Sequence, residues 1–416
     1  MILFHPIVSF SATGLILRRS DDTIVSSLRC ACQSEKRQEV TLVEKVRRKS
    51  KLKLALIAAG ILTAVIVSGI FILLKITILK SFPELKGEAE IGKWYDIPVE
   101  GAKSSDGSKW HGIFRKGTEN KAVIYFFGGG VSITPETSER GKEFYATTML
   151  AQDFVAQGGI GSSVEANPFR DWSFIVIPYA TGDFHAGTGT YEGKKKVYHT
   201  GYRNYSAYIE QIKPYVGEPD TLLVTGFSAG GFAASLLADD VIERFPSAEN
   251  VTVCVDSSLL LYDGWHDTAV DLWKSPTEIS DRLTTDNLVL DSLTAIYEKH
   301  GDSVRILFDC SYRDDTLMQY QSYIDSGKMD QSKELGDKFQ QDLKKMVSSL
   351  QTNIPDAGIY IWCSGEDADT HNTRHTIISS NVFDKLGNDR SVGEWIFDAV
   401  KGDVRTYGTE LLDRVF

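Results

Sequence analysis

In Thr221-Leu222-Leu223-Val224-Thr225-Gly226-Phe227-Ser228-Ala229-Gly230-Gly231 an apolar run gives way within two residues to small side chains, and a serine stands at the junction. Phe232 to Ala238 continues in small and apolar residues, as a buried helix would. The string is therefore a strand, a sharp turn and a helix. Glycines two before and two after the serine let the backbone reverse tightly and lift the hydroxyl clear of the sheet, the arrangement of a nucleophile elbow. The bland alternative is a glycine-rich turn with a bystander serine; the placement at a strand-to-helix junction favours the elbow.

Outward from the elbow, strand-like and helix-like segments alternate. Trp94 to Val99 and Trp110 to Phe114 read as a hairpin around Ser104-Ser105-Asp106-Gly107. Ala122 to Phe127, Phe174 to Pro178, Val251 to Val255, Val304 to Phe308 and Gly358 to Trp362 read as buried strands. Helices are expected over Glu143 to Ala156, Tyr202 to Tyr215, Gly230 to Arg244, Ser332 to Leu350 and Val392 to Lys401. The region from Ser257 to Ser303 exceeds a simple crossover and reads as a helical cap. Near-continuous apolar strands separated by helices mean an α/β, α/β-hydrolase-like fold, with a mostly parallel central sheet and helices on both faces. Functional groups then belong on loops after strand C-termini.

The first 80 residues differ in kind. They hold 13 Lys and Arg against 5 Asp and Glu, whereas residues 81–416 hold 32 against 51. Residues 54–74 (LALIAAGILTAVIVSGIFILL) are uncharged, and at about 1.5 Å per residue they match the roughly 30 Å core of a bilayer. Six Lys and Arg lie between Lys45 and Lys53, against Lys75 and Lys80 after the stretch, which predicts a cytoplasmic amino terminus. The expected layout is a tail over 1–53, a transmembrane helix over 54–74, a stalk over 75–92 and a catalytic domain over 93–416 outside the cell membrane. A cleaved signal peptide is the rival reading, disfavoured by the length of the apolar stretch. The acidic outer domain excludes nucleic acid as a partner and suits an acylated polysaccharide or another ester. Five cysteines are too few for a disulfide scaffold in a domain of this size.

A serine nucleophile needs a base, and the base needs an orienting acid. In α/β-hydrolases these follow in the chain order Ser, Asp or Glu, His. After Val304 to Phe308 comes Arg313-Asp314-Asp315-Thr316, where Asp315 is the expected acid, Asp314 its alternate, and one of the two an N-cap for the helix beginning at Thr316. After Gly358 to Trp362 come His371 and His375, between which spacing does not decide. Their i, i+4 separation could suit a metal, yet HNTRH has no zincin glutamate and sits in a polar loop, so neither a metal nor any other cofactor is expected. For the oxyanion, Ala229 offers one backbone N–H, and Gly128-Gly129-Gly130 after Ala122 to Phe127 offers others through Gly129 and Gly130.

With these residues assembled, the chain from about Trp94 onward resembles the pectin acetylesterase family, which includes the Notum-type carboxylesterases. The resemblance rests on Phe126 to Gly130, Pro178 to Gly187, His199 to Asn204, Gly226 to Gly231 and His375-Thr376-Ile377. It implies a serine carboxylesterase removing acetyl or other acyl groups by a Ser-His-Asp mechanism, and it selects His375 over His371. Asp183 and His185 fall in a shared segment and are expected to shape the substrate cleft. The set Ser228, Asp315 and His375 is thus the expected triad. A serine peptidase, a lipid or protein deacylase, and a silent glycan-binding surface module are the alternatives.

Overall fold

The computed structural model describes residues 82–149, 158–386 and 388–416. The chain divides into Met1–Thr77 and Ile78–Phe416, and the account below concerns the second unit. The tail and the 54–74 stretch lie outside the described residues, as does much of the helix expected over Glu143 to Ala156. Among the described residues no helix is long and apolar enough to cross a membrane. Residues 82–92, the described part of the expected stalk, pack along the first strand: Phe82 stacks on Trp94, and Pro83 O accepts from Asp96 N.

One eight-stranded sheet organises the domain. Strands β1 (Trp94–Lys103) and β2 (Lys109–Arg115) form the expected antiparallel hairpin. They are followed by β3 (Lys121–Phe126) and β4 (Ser173–Ile177). A separate small hairpin of β5 (Gly189–Glu192) and β6 (Lys196–His199) lies outside the main sheet. The remaining strands are β7 (Thr221–Phe227), β8 (Asn250–Asp256), β9 (Val304–Ser311) and β10 (Gly358–Trp362). The spatial order is β1-β2-β4-β3-β7-β8-β9-β10, with β3, β4 and β7 to β10 pairing in parallel. Every residue of β4 and β10 is buried, which requires cover on both faces and explains their unbroken apolar runs.

The covering helices show why their sequences fold as they do. Helix α1 (Pro135–Arg140) is closed at its start by a reciprocal Thr134–Thr137 capping box. Helix α2 (Gly201–Val216) buries Tyr205, Tyr208, Ile209 and Ile212, the three- and four-residue spacing of one face, and ends at Gly217. Helix α3 (Ala229–Arg244) is buried through Ala238 because its small residues let it settle close on β7 and β8. Helix α4 (Leu288–His300) packs on α3 and β9, so the Ser257 to Ser303 region supplies a sheet-covering helix as well as shorter helical turns. Helix α5 (Asp315–Ser326) and helix α6 (Lys333–Asn353), capped by Ser332, pack on each other, and α7 (Val392–Val400) lies against β8 and β9. Residues Glu143 to Met149 form no α-helix; Gly130 and Tyr145 bridge there instead. Cys254, Cys310 and Cys363 are free thiols.

Candidate functional site

Four neighbouring strands, β3, β7, β8 and β9, deliver the site at their C-terminal ends. Ser228 follows β7 with φ 54° and ψ −128°, a conformation a non-glycine residue holds only when its surroundings fix it. Its N–H donates to Asp256 O (2.9 Å) and its carbonyl accepts from Gly231 N, Phe232 N and Ser258 Oγ. A side chain at Gly226 would strike Gly230 O and one at Gly230 would strike Phe126 O at the end of β3, which is the physical need behind those two glycines. The Ser228 hydroxyl is half-buried and caps nothing.

The Gly128–Gly130 loop leaves β3, the strand beside β7. A Cβ on Gly128 would lie 2.5 Å from Phe227 O and 2.8 Å from the Ser228 Cβ, so the loop touches the serine. Gly129 O accepts from Ala146 N and Val131 N donates to Phe144 O, which leaves the N–H groups of Gly129 and Gly130 without an acceptor among the described residues. Ala229, as the first residue of α3, has no helical carbonyl four residues back. Ala229 thus adjoins the serine with a free N–H, and Gly129 and Gly130 follow the glycine that touches it. A cavity of about 480 Å³ opens at Gly129, walled by Lys142, Phe144, Tyr145, Thr147 and Tyr320.

The acid and base come from β9 and from the loop after β10. That loop turns back across the strand ends. Thr373 N donates to Arg313 O and Asp315 N to Thr373 O, and the chain then reaches β8, where Ile377 N and Ile378 N both donate to Asp256 Oδ2 at 2.9 Å. Thr376 N donates to Ser257 Oγ (3.2 Å). This path carries His375 over the end of β8, the strand that lies between β7 and β9.

The carboxylate that meets it is Asp314, not the expected Asp315. His375 Nδ1 donates to Asp314 Oδ2 at 2.7 Å, while Asp314 Oδ1 accepts from Thr316 N and Leu317 N at the start of α5. One fully buried carboxylate thus both caps the helix and holds the imidazole, two tasks expected of separate residues. Asp315 is the first helical residue; its carboxylate is turned to the Thr316 hydroxyl, 2.9 Å away. Burial pushes the Asp314 carboxyl up, opposed by His375 and by the Leu317 N–H. Burial works to lower the His375 pKa, but the charge and hydrogen bond of Asp314 prevail and it rises above its ordinary 6.5. His375 Nε2 is buried and has no hydrogen-bond partner among the described residues. With Nδ1 donating, that nitrogen presents a lone pair.

His371 lies elsewhere. Its Nδ1 pairs with Glu366 Oε1 (2.9 Å) and its ring stacks on Phe416, 4.0 Å between centroids, so the two histidines engage different carboxylates. Asp183 and His185 do not line the cleft either, being 0% and 1% exposed. Asp183 is buried because its carboxylate accepts from Thr181 Oγ1, His185 N and Gly201 N. His185 Nε2 donates to Phe127 O (2.9 Å), the carbonyl just before the glycine loop, and burial lowers its pKa to about 4, leaving it a neutral prop under that loop. Sequence reasoning missed Asp256-Ser257-Ser258. The available signal was polar side chains directly after the buried strand next to the nucleophile strand.

The sequence matches the model of the pectinacetylesterase family over residues 91–267. That span includes the glycine loop, Ser228 and Asp256; Asp314 and His375 lie beyond it. No curated protein matches the chain. Among solved structures, the chain is similar to that of the Wnt deacylase Notum from Drosophila, with a TM-score of 0.54 at 15% identity over 75% of this chain and 95% of that one. At that identity the likeness speaks for the fold, an α/β architecture around a mostly parallel sheet.

Proposed function

We propose that the protein is a carboxylic ester hydrolase acting through Ser228, His375 and Asp314. The observation that carries the reading is the buried His375–Asp314 pair at 2.7 Å, whose outer nitrogen Nε2 has no hydrogen-bond partner among the described residues. Neutral His375 takes the Ser228 proton through Nε2 as Oγ attacks the acyl carbonyl. Asp314 holds the tautomer and stabilises the imidazolium that forms. The N–H groups of Gly129, Gly130 and Ala229 receive the oxyanion. His375 then protonates the departing alcohol oxygen, leaving Ser228 acylated, and in the second half activates water, which releases the carboxylic acid and restores the serine.

The substrate class is an acyl ester on a glycan, with acetyl the simplest case and the family match its support. An acyl ester on a protein is the second class, suggested by the deacylase activity named for the Drosophila structure. The cavity is lined by Gly129, one of the proposed oxyanion donors, and part of such a substrate would sit there. Residues 54–74 support an enzyme held at the outer face of the cell membrane, a placement tested by whether alkaline carbonate leaves the full chain in the membrane pellet. The hydrolase reading is tested by turnover of p-nitrophenyl acetate and by acetate release from acetylated polysaccharides. Activity abolished by Ser228→Ala is expected; activity equal to wild type in that variant would overturn the reading.

A further inference from the structure

Resting on the hydrolase reading, we propose that Asp256 is a positioning residue for the reaction: a charged acceptor that ties the histidine loop to the nucleophile turn, with Asp309 as its proton-bearing neighbour.

Asp256 touches both halves of the site. Its carbonyl accepts from Ser228 N, and its Oδ2 accepts from Ile377 N and Ile378 N, the two amides that follow His375-Thr376. Its Oδ1 accepts from Ser257 Oγ (2.7 Å), which fixes that hydroxyl so that its lone pair receives Thr376 N. Ser257 and Thr376 have φ of 52° and 61°, so each side of this junction carries a non-glycine residue in the left-handed region. Such conformations persist where bonds over-determine them, and these bonds converge on Asp256.

The neighbour is a second buried carboxyl. Asp256 and Asp309 stand opposite each other on the parallel strands β8 and β9, share a face and are hydrogen-bonded to one another. Two carboxylates so placed cannot both stay charged, and the charge settles where donors converge. Asp256 receives two amides and a hydroxyl. Asp309 receives the Trp362 indole N–H at 3.2 Å and the distant Cys254 thiol at 3.8 Å. Asp309 therefore keeps the proton and donates it to Asp256. Burial, reinforced by the Asp256 charge, holds Asp309 well above the usual carboxylate range.

Among the described residues, Asp309 and Cys310 on β9, Cys254 on its own strand, Tyr125 on β3 and His375 feel the Asp256 charge. None of these is lysine or arginine. Of these, His375 alone can take a positive charge, so Asp256 both aims the imidazole and favours its protonated form. The triad is then steadied from two strands, Asp314 at the ring and Asp256 at the backbone behind it.

The test compares Asp256→Asn with Asp309→Asn. Asparagine at 309 still offers an N–H to Asp256, whereas asparagine at 256 brings a donor where donors already point. For Asp256→Asn, kcat on p-nitrophenyl acetate should fall about 10- to 100-fold with KM within about twofold. An NMR titration of His375, assigned with His375→Gln, should show the ring binding its proton about three- to tenfold less tightly. Asp309→Asn should keep kcat and the titration within about threefold of wild type. Unchanged kcat and titration in Asp256→Asn, or equal damage from Asp309→Asn, would overturn the proposal. If Asp256→Asn does not fold, Ser257→Ala removes the hydroxyl that links Asp256 Oδ1 to Thr376 N and leaves the carboxylate in place; a several-fold fall in kcat at constant KM supports the proposal, and an unchanged kcat overturns it. Absence of serine-dependent turnover in the wild type would instead count against the hydrolase reading, and the titration, which needs no turnover, still decides the role of Asp256.

Discussion

The nucleophile turn and the histidine loop are built by opposite means. Ser228 sits between β7 and α3, its backbone fixed by glycines two residues away and by a helix of small side chains, all within 20 residues of chain. His375 lies between β10 and α7 in a stretch with no regular helix or strand, and the bonds that aim it come from Arg313, Asp314, Asp256 and Ser257. One half of the site is shaped largely by its own sequence, with remote bonds only from Asp256 and Ser258, the other by side chains 61 to 122 positions away. A catalytic group can thus be set by local sterics or by remote hydrogen bonds, and the two kinds fail differently when altered.

The contrast can be broken most severely at its junction. Asp314→Asn, which leaves the shape but inverts the bond offered to His375 Nδ1, should lower kcat on p-nitrophenyl acetate by about 10⁴-fold, whereas Asp315→Asn should stay within about threefold. Equal losses would return the two aspartates to parity. On the locally built side, Gly128→Ala drives a Cβ into Phe227 O and the serine; a loss of about 1–3 kcal/mol in urea unfolding, with about 10- to 100-fold lower kcat, is expected.

Acid sharpens the difference further. His375 must be neutral to accept the serine proton, and its pKa is held above 6.5, so kcat/KM should fall as pH drops through that raised value. Asp314→Asn should move this acid limb downward in a pH–rate profile. His185 titrates the other way. An unfolded histidine takes a proton below about 6.5 and the buried one only near about 4, so the unfolded state gains protons between these values. Stability should therefore decline as pH falls through that window, by about 3 kcal/mol from this residue once below it. His185→Gln, which still can donate to Phe127 O, should show a smaller decline in urea melts at pH 7 and pH 4.5.

The same asymmetry decides how much was legible in the sequence. The strands from Lys121 to Trp362 were readable because burial on both faces makes them apolar throughout, and α2 and α6 because one face repeats at helical spacing. The hairpin of β5 and β6 was not, since four-residue strands that are largely polar carry too little pattern. Ser228 and the glycine loop could be located because sharp turns demand particular residues. Asp314 could not be separated from Asp315 by inspection: which of two adjacent carboxylates turns inward depends on where α5 starts and where Thr373 pairs. Asp183 and His185 were expected in the cleft from the shared family segment, yet backbone donors to the Asp183 carboxylate and the Phe127 carbonyl that accepts from His185 hold them inside.

The most direct measurement is labelling of the intact protein with a fluorophosphonate, followed by peptide mapping and by rates in the two aspartate variants. One adduct per chain on Ser228, formed at the wild-type rate in Asp315→Asn and slowed by orders of magnitude in Asp314→Asn, is the expected result. Labelling at another residue, or a rate that depends on Asp315 and not on Asp314, would contradict the account.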